Sequence, residues 1–174
     1  MTRISRYLAT ALLLFWTACV AAHAGSPLGE IEYRYPCQAG SSGRTLEIEY
    51  GGFAEAAVSL QFWGGDPVLS VNEDLAFEQP AVTVAFDYLV ACEMAKRMQE
   101  DDLDRAVRDK AFAQRVFHTT DCAALTLLNR LGVARRYDDI ASLLDYFSYR
   151  KGDAGYLGVP YWQRVEAMQR NCPP

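Results

Sequence analysis

The chain has 174 residues, of which 51% are hydrophobic, and a formal net charge of −5. Removing its apolar leader, which carries Arg3, Arg6 and no acid, takes that charge to −7. An acidic balance of this kind argues against a nucleic-acid partner, because neutralising phosphates needs a basic surface. No glycine-rich phosphate loop, internal repeat or low-complexity tract is found.

In chain order, Arg3 and Arg6 form a basic start, followed by the apolar run "LATALLLFWTACVAA". Ala22 and Ala24 then fit the small-residue positions of a signal peptidase site, so residues 1–24 read as a signal peptide cut before Gly25. The run is too short for a good membrane span. A lipoprotein reading at Cys19 is weaker, because Trp16 stands where an aliphatic residue belongs. The expectation is an exported protein, periplasmic or secreted, with residues 25–174 as one domain and no transmembrane segment after cleavage.

Next come "EIEYRYPC", "TLEIEY", "AAVSLQF" and "PVLSVN", rich in β-branched and aromatic residues and punctuated by glycine. They predict a small antiparallel sheet. In "TLEIEY", Leu46, Ile48 and Tyr50 alternate with Glu47 and Glu49. From Pro80 the period changes to a helical one, Pro80 suiting a first helical turn. After an acidic break at "EDDLD", a long second helix is expected over about residues 103–131, stopped by Gly132. Asp138 or Asp139 is read as the cap of a third helix, and a last short helix starts at Pro160. The fold class is therefore α+β, a small N-terminal antiparallel sheet packed on about four helices.

Four cysteines remain after the leader: Cys37, Cys92, Cys122 and Cys172. In an oxidising compartment they imply disulfides, with three complete pairings open.

The chemistry centres on Cys92-Glu93-Met94-Ala95-Lys96. Positions i and i+4 of a helix share a face, which is how two histidines in His-Glu-x-x-His hold one zinc while the glutamate activates water. Here Cys92 and Lys96 occupy the two ligand spacings and Glu93 the base position.

The stretch "DPVLSVNEDL" through "VTVAFDYLVACEMAKRM" resembles a family of small exported zinc metallopeptidase-like proteins of the gluzincin type. Val71-Asn72, Phe86, Ala91 and Glu93 match its pattern. In that family the third zinc ligand is a glutamate on the next helix, ahead of an A-D-C-x-A run. Asp121, Cys122 and Ala124 match that run, with His118 in place of the glutamate. "GVPYWQRVEAMQRNC" is similar to the family's tail, so the resemblance spans roughly residues 66–172. It implies a zincin-like fold with the histidine and glutamate ligands replaced. It also implies a bridge from Cys122 to Cys172 that ties the last helix to the second, leaving Cys37 and Cys92 as the second pair.

Lys96 places an ammonium where a metal dication would lie. One reading has it between Glu93 and Asp121, standing in electrostatically for zinc. The bland reading is a solvent-facing Lys96 with Glu93 as an i, i+3 partner. Asp121 is expected to support His118 or Lys96 from behind. Two further readings are an atypical zinc site at Cys92, His118 and Asp121, and a thiol hydrolase using the same three residues as nucleophile, base and orienter. His118 and the leader's His23 are the only two histidines, so a multi-histidine site cannot form. Tyr156, Tyr161 and Trp162 could line a recognition surface, though packing accounts for most aromatics. The residues thus favour a catalytically inactive metallopeptidase-like exported protein, a binding or scaffold module with no cofactor and a peptide or envelope protein as partner. The alternative is an enzyme of altered chemistry at Cys92, His118 and Asp121.

Overall fold

The computed structural model describes residues 26, 28–40, 42–52, 56–133, 137–150 and 155–172, with the backbone alone over 137–141. The predicted signal peptide, including Cys19 and His23, lies outside the described residues. The described chain is α+β, mostly helical: α1 (Glu30–Arg34), β1 (Glu47–Tyr50), β2 (Val58–Trp63), β3 (Asp66–Val71), α2 (Glu73–Glu78), α3 (Ala81–Ala95), α4 (Glu100–Arg108), α5 (Lys110–Arg130), α6 (Tyr137–Tyr149), a 3-10 turn (Tyr156–Gly158) and α7 (Tyr161–Asn171).

The sheet has the order β1-β3-β2 and is mixed, not antiparallel as expected. β2 and β3 form a hairpin closed by Gly64 and Gly65, whose φ values of 60° and 88° suit the tight turn that matches strand twist. β1 pairs with β3 in parallel, Glu47 beside Val68 and Tyr50 beside Val71. β3 takes the centre because Val68, Leu69 and Val71 are all buried there, whereas the glutamates of β1 tolerate an edge. The outer edge of β2 is covered differently. The Tyr156 hydroxyl donates to the Leu60 carbonyl at 2.7 Å and accepts from its N–H at 3.2 Å, taking the place of a neighbouring strand.

The segment "EIEYR" is a helix and not a strand. Glu30 and Glu32 lie in its first turn and Arg34 in its last, complementing the helix dipole. A 2.6 Å Glu30–Arg34 ion pair joins adjacent turns. The alternation in its sequence does not mark two faces of a sheet, since Ile31 is buried while Tyr33 is exposed.

The expected long second helix is two helices broken at Asp109, whose backbone is extended (φ −116°, ψ 95°) and whose carboxylate caps α5 by accepting from Phe112 N–H at 3.0 Å. The "EDDLD" segment opens α4 and does not separate helices: three acids crowd its first turn, and Asp102 accepts from the Gln99 N–H at 3.1 Å. Gly132 ends α5 as expected. At φ 65° it lets its own N–H reach Asn129 O (3.1 Å) and Val133 N–H reach Leu128 O (3.1 Å), satisfying carbonyls of the last turn. α6 starts at Tyr137, so Asp138 and Asp139 fall inside its first turn.

α3 is buried from Thr83 to Ala95, the mark of a central helix with no solvent face. It packs on β2, α5 and α6, while α5 packs on α4 and α7. Two disulfides join the described residues, Cys37–Cys92 (Cα–Cα 5.3 Å) and Cys122–Cys172 (5.0 Å). They are the pairs the resemblance implied, and they are consistent with an oxidising compartment. Among the described residues no helix is long and apolar enough to cross a membrane.

Candidate functional site

The motif residues lie at the C-terminal end of α3, where the helix leaves the core. Cys92 is fully buried and its sulfur is bonded to Cys37. The Cys37 segment is held to α3 a second time by Tyr88, whose hydroxyl accepts from Cys37 N–H (3.2 Å) and donates to Tyr35 O (2.9 Å). Gly40 completes the attachment by donating its N–H to Ala95 O at 3.3 Å, and a β-carbon there would sit 3.2 Å from Lys96 O.

This attachment brings Tyr35 over the motif. Glu93, 6% exposed, receives three donors: Lys96 Nζ at 2.6 Å, Arg97 Nη2 at 3.1 Å and Tyr35 Oη at 3.3 Å. Lys96 also donates to the Tyr35 hydroxyl and lies 4.8 Å from the centre of that ring. Burial pushes the Glu93 carboxyl up, but the hydrogen bonds from Lys96 and Arg97 outweigh it and hold the group below its ordinary value. Lys96 moves the other way: burial lowers it, and Glu93 and Tyr35 more than restore it, leaving the ammonium firmly charged.

Asp121 belongs to a different cluster. It faces inward from α5 and is held by Arg164 of α7 through two hydrogen bonds, 3.1 Å from Nε and 2.7 Å from Nη2. Both side chains are 2% exposed or less. Rings surround the guanidinium, with Phe117 centred 4.2 Å away, Phe147 5.3 Å and Phe86 5.6 Å. Asp87 of α3, also buried, completes the cluster electrostatically and accepts from Ala57 N–H at 3.2 Å. Burial lifts the Asp87 carboxyl to about 7, against the opposing pull of Arg164 and the Ala57 N–H. Burial also keeps Asp121 above its ordinary value despite Arg164.

The structure therefore brings Cys92, Glu93 and Lys96 together and places Asp121 elsewhere. Asp87 and Lys96 are nine residues apart on one helix, so at about 100° per residue they point to opposite sides. The bridging role expected of Lys96 is corrected on this point: its ion pair is with Glu93, and Asp121 is paired with Arg164, with His118 a lesser electrostatic neighbour. His118 is exposed and lines an open groove of about 750 Å³ between α5 and α7, whose lining includes Asp121 and Arg164 together with Arg115, Trp162, Glu166 and Arg170. Of the late aromatics, Tyr161 is buried and Tyr156 serves the β2 edge, leaving Trp162, 42% exposed, at the groove.

These residues do not fit the zinc ion that the resemblance implies. The Cys92 sulfur is spent in a disulfide, both Glu93 oxygens face cations, and both Asp121 oxygens face Arg164. Among the described residues, no three His, Cys, Asp or Glu side chains converge on a common point. The disulfide likewise leaves Cys92 without the thiolate that a nucleophile needs.

Sequence reasoning missed Arg164 and Asp87. A signal for the first was present: Tyr161, Arg164, Val165 and Met168 form the buried stripe of α7, and an arginine inside an apolar stripe demands a buried acid. Asp87 inside the apolar run of α3 carries the same message. Compared with family models, with curated proteins and with solved structures, the chain finds no match.

Proposed function

We propose that this protein is an exported, catalytically inactive binding module, periplasmic or secreted, built on a metallopeptidase-like plan. One observation carries the reading. Glu93, the carboxylate in the position of the water-activating base, is held by Lys96 and Arg97 at 2.6 and 3.1 Å. A base needs an oxygen free to take a proton and a water within reach. Here the carboxylate serves as an anchor that ties Tyr35 and the Cys37 segment to α3.

The disulfides and the covered β2 edge support a rigid scaffold suited to the oxidising space outside the cytoplasm. A peptide or a segment of an envelope protein is the partner this reading calls for. The test is purification from the export compartment, followed by metal analysis and a peptide-cleavage assay with wild type and Glu93→Gln. The reading expects no stoichiometric zinc and equal, background cleavage by both. Tightly held zinc, or cleavage abolished by Glu93→Gln, would overturn it.

A further inference from the structure

We propose that the groove between α5 and α7 binds acidic peptide segments. The inference deepens the binding-module reading, on which it rests, by giving the module a site and a ligand chemistry.

The walls of the groove come from two helices that the Cys122–Cys172 disulfide ties together. Its volume, about 750 Å³, falls in the range of ligand sites and is too large for a single ion. Ala111, Val159 and Ala167 provide apolar lining. Trp162 stands at the wall with 42% of its surface exposed, a large, rigid side chain of the kind that anchors peptide contacts.

Three arginines against two carboxylates leave that lining with a surplus of one positive charge. Arg115 and His118 are exposed along α5, and Arg170 is exposed on α7. Of the two carboxylates, Asp121 is buried against Arg164, and Glu166 is already bonded to Arg170 at 3.0 Å. Arg115 has no ion pair among the described residues; its guanidinium lies 5.8 Å from the Phe112 ring centre. The surplus positive charge of the groove attracts carboxylates locally on a chain whose net charge is −5. Gln114 and Gln163 reach across the groove to each other at 2.7 Å, an exposed amide pair that a peptide backbone can replace bond for bond.

The experiment uses the leaderless chain, residues 25–174, with its disulfides intact, so that Trp63 and Trp162 are its two tryptophans. One probe is a capped peptide alternating Asp and Glu with Leu and Phe; a second carries Lys in place of every acid; a third is a short single-stranded DNA. Binding is read at low salt by calorimetry and by tryptophan emission in a Trp63→Phe background, which isolates Trp162 from Trp63 of the sheet. The acidic peptide should bind and shift the emission. Arg115→Glu should weaken it by about tenfold, the scale of one charge-assisted contact, and Arg170→Ala by a few-fold. Both arginines are exposed, and an unchanged thermal midpoint will verify that the variants fold. Three results overturn the proposal: no binding at millimolar peptide, equal or tighter binding of the lysine peptide or DNA, or affinity indifferent to Arg115→Glu. None of them touches the catalytic question, which zinc content and the Glu93→Gln assay decide separately.

Discussion

Arg164 and Asp121 meet between α7 and α5 in a two-bond ion pair, 2.7 and 3.1 Å long, with both side chains buried. The pair closes the core where α3, α5, α6 and α7 and the rings of Phe86, Phe117 and Phe147 converge. It makes Asp121 a structural group of the core.

Removing one partner strands the other charge in the core. Arg164→Met is expected to destabilise the fold by about 3–5 kcal/mol, and Asp121→Asn by a similar amount. The paired change Arg164→Met with Asp121→Leu should recover much of that loss. Urea denaturation measures all three, and a loss below about 1 kcal/mol for Arg164→Met would mean the pair is open to water.

Asp87 makes stability depend on pH in an unusual direction. Its carboxyl is raised from 3.8 to about 7 in the fold, so the folded state holds a proton that the unfolded state releases earlier. The stabilisation is complete below about pH 4 and is lost as pH climbs through about 7, by a few kcal/mol at most. Arg164, Asp121 and Arg150 set the field around it, with burial the largest cause. Asp87→Asn should flatten the fall in unfolding free energy between about pH 5 and 7.5. A wild-type profile that is already flat there would contradict this account.

Glu93 works with the opposite sign. Its folded carboxyl is held below the ordinary value, so its contribution is present near neutrality and disappears as pH falls through the folded value. Glu93→Gln should cost about 1–2 kcal/mol near neutral pH. Lys96→Met should cost less, under about 1 kcal/mol, because the Lys96 side chain is 34% exposed and water screens the pair. Chemical denaturation of both variants in neutral buffer ranks them, and a larger loss for Lys96→Met would make the lysine, not the glutamate, the anchor of this corner.

Thiol titration of the denatured, leaderless protein should find no free cysteine. Each bridge closes a long loop, with sequence separations of 55 and 50, worth about 4 kcal/mol in the chain-entropy account. Cys122→Ser with Cys172→Ser should lower the unfolding free energy by about 2–4 kcal/mol. Two reactive thiols in the wild type would break the scaffold on which the export reading leans.

Tyr156→Phe tests the cover over the β2 edge. It removes the one hydroxyl that serves both the Leu60 carbonyl and the Leu60 N–H, and should cost about 1–3 kcal/mol. Faster amide exchange at Leu60 is the local readout. Unchanged exchange would show that water or another group replaces the phenol.

Local signals were legible in the sequence because their physics is local. Gly64-Gly65 makes its hairpin wherever it stands between two strands, Pro80 and Pro160 precede their helices, and Gly132 turns left-handed to end α5. The helical stretch through Cys92, Glu93 and Lys96 was equally plain, while the i, i+3 contact of Glu93 with Lys96 was one of two open readings. Tertiary structure alone decided the rest. Alternation in "EIEYR" could not show that Ile31 would be buried while Tyr33 faced water, and that choice made the segment a helix. Glu47 and Glu49 predict an edge strand but not which strand would lie beside it. Sequence reasoning offered His118 or Lys96 as the partner of Asp121 and passed over Arg164, 43 residues further along the chain. Helix packing chose Arg164, because a carboxylate withdrawn from water needs a partner buried with it, and α7 carries that cation into the core.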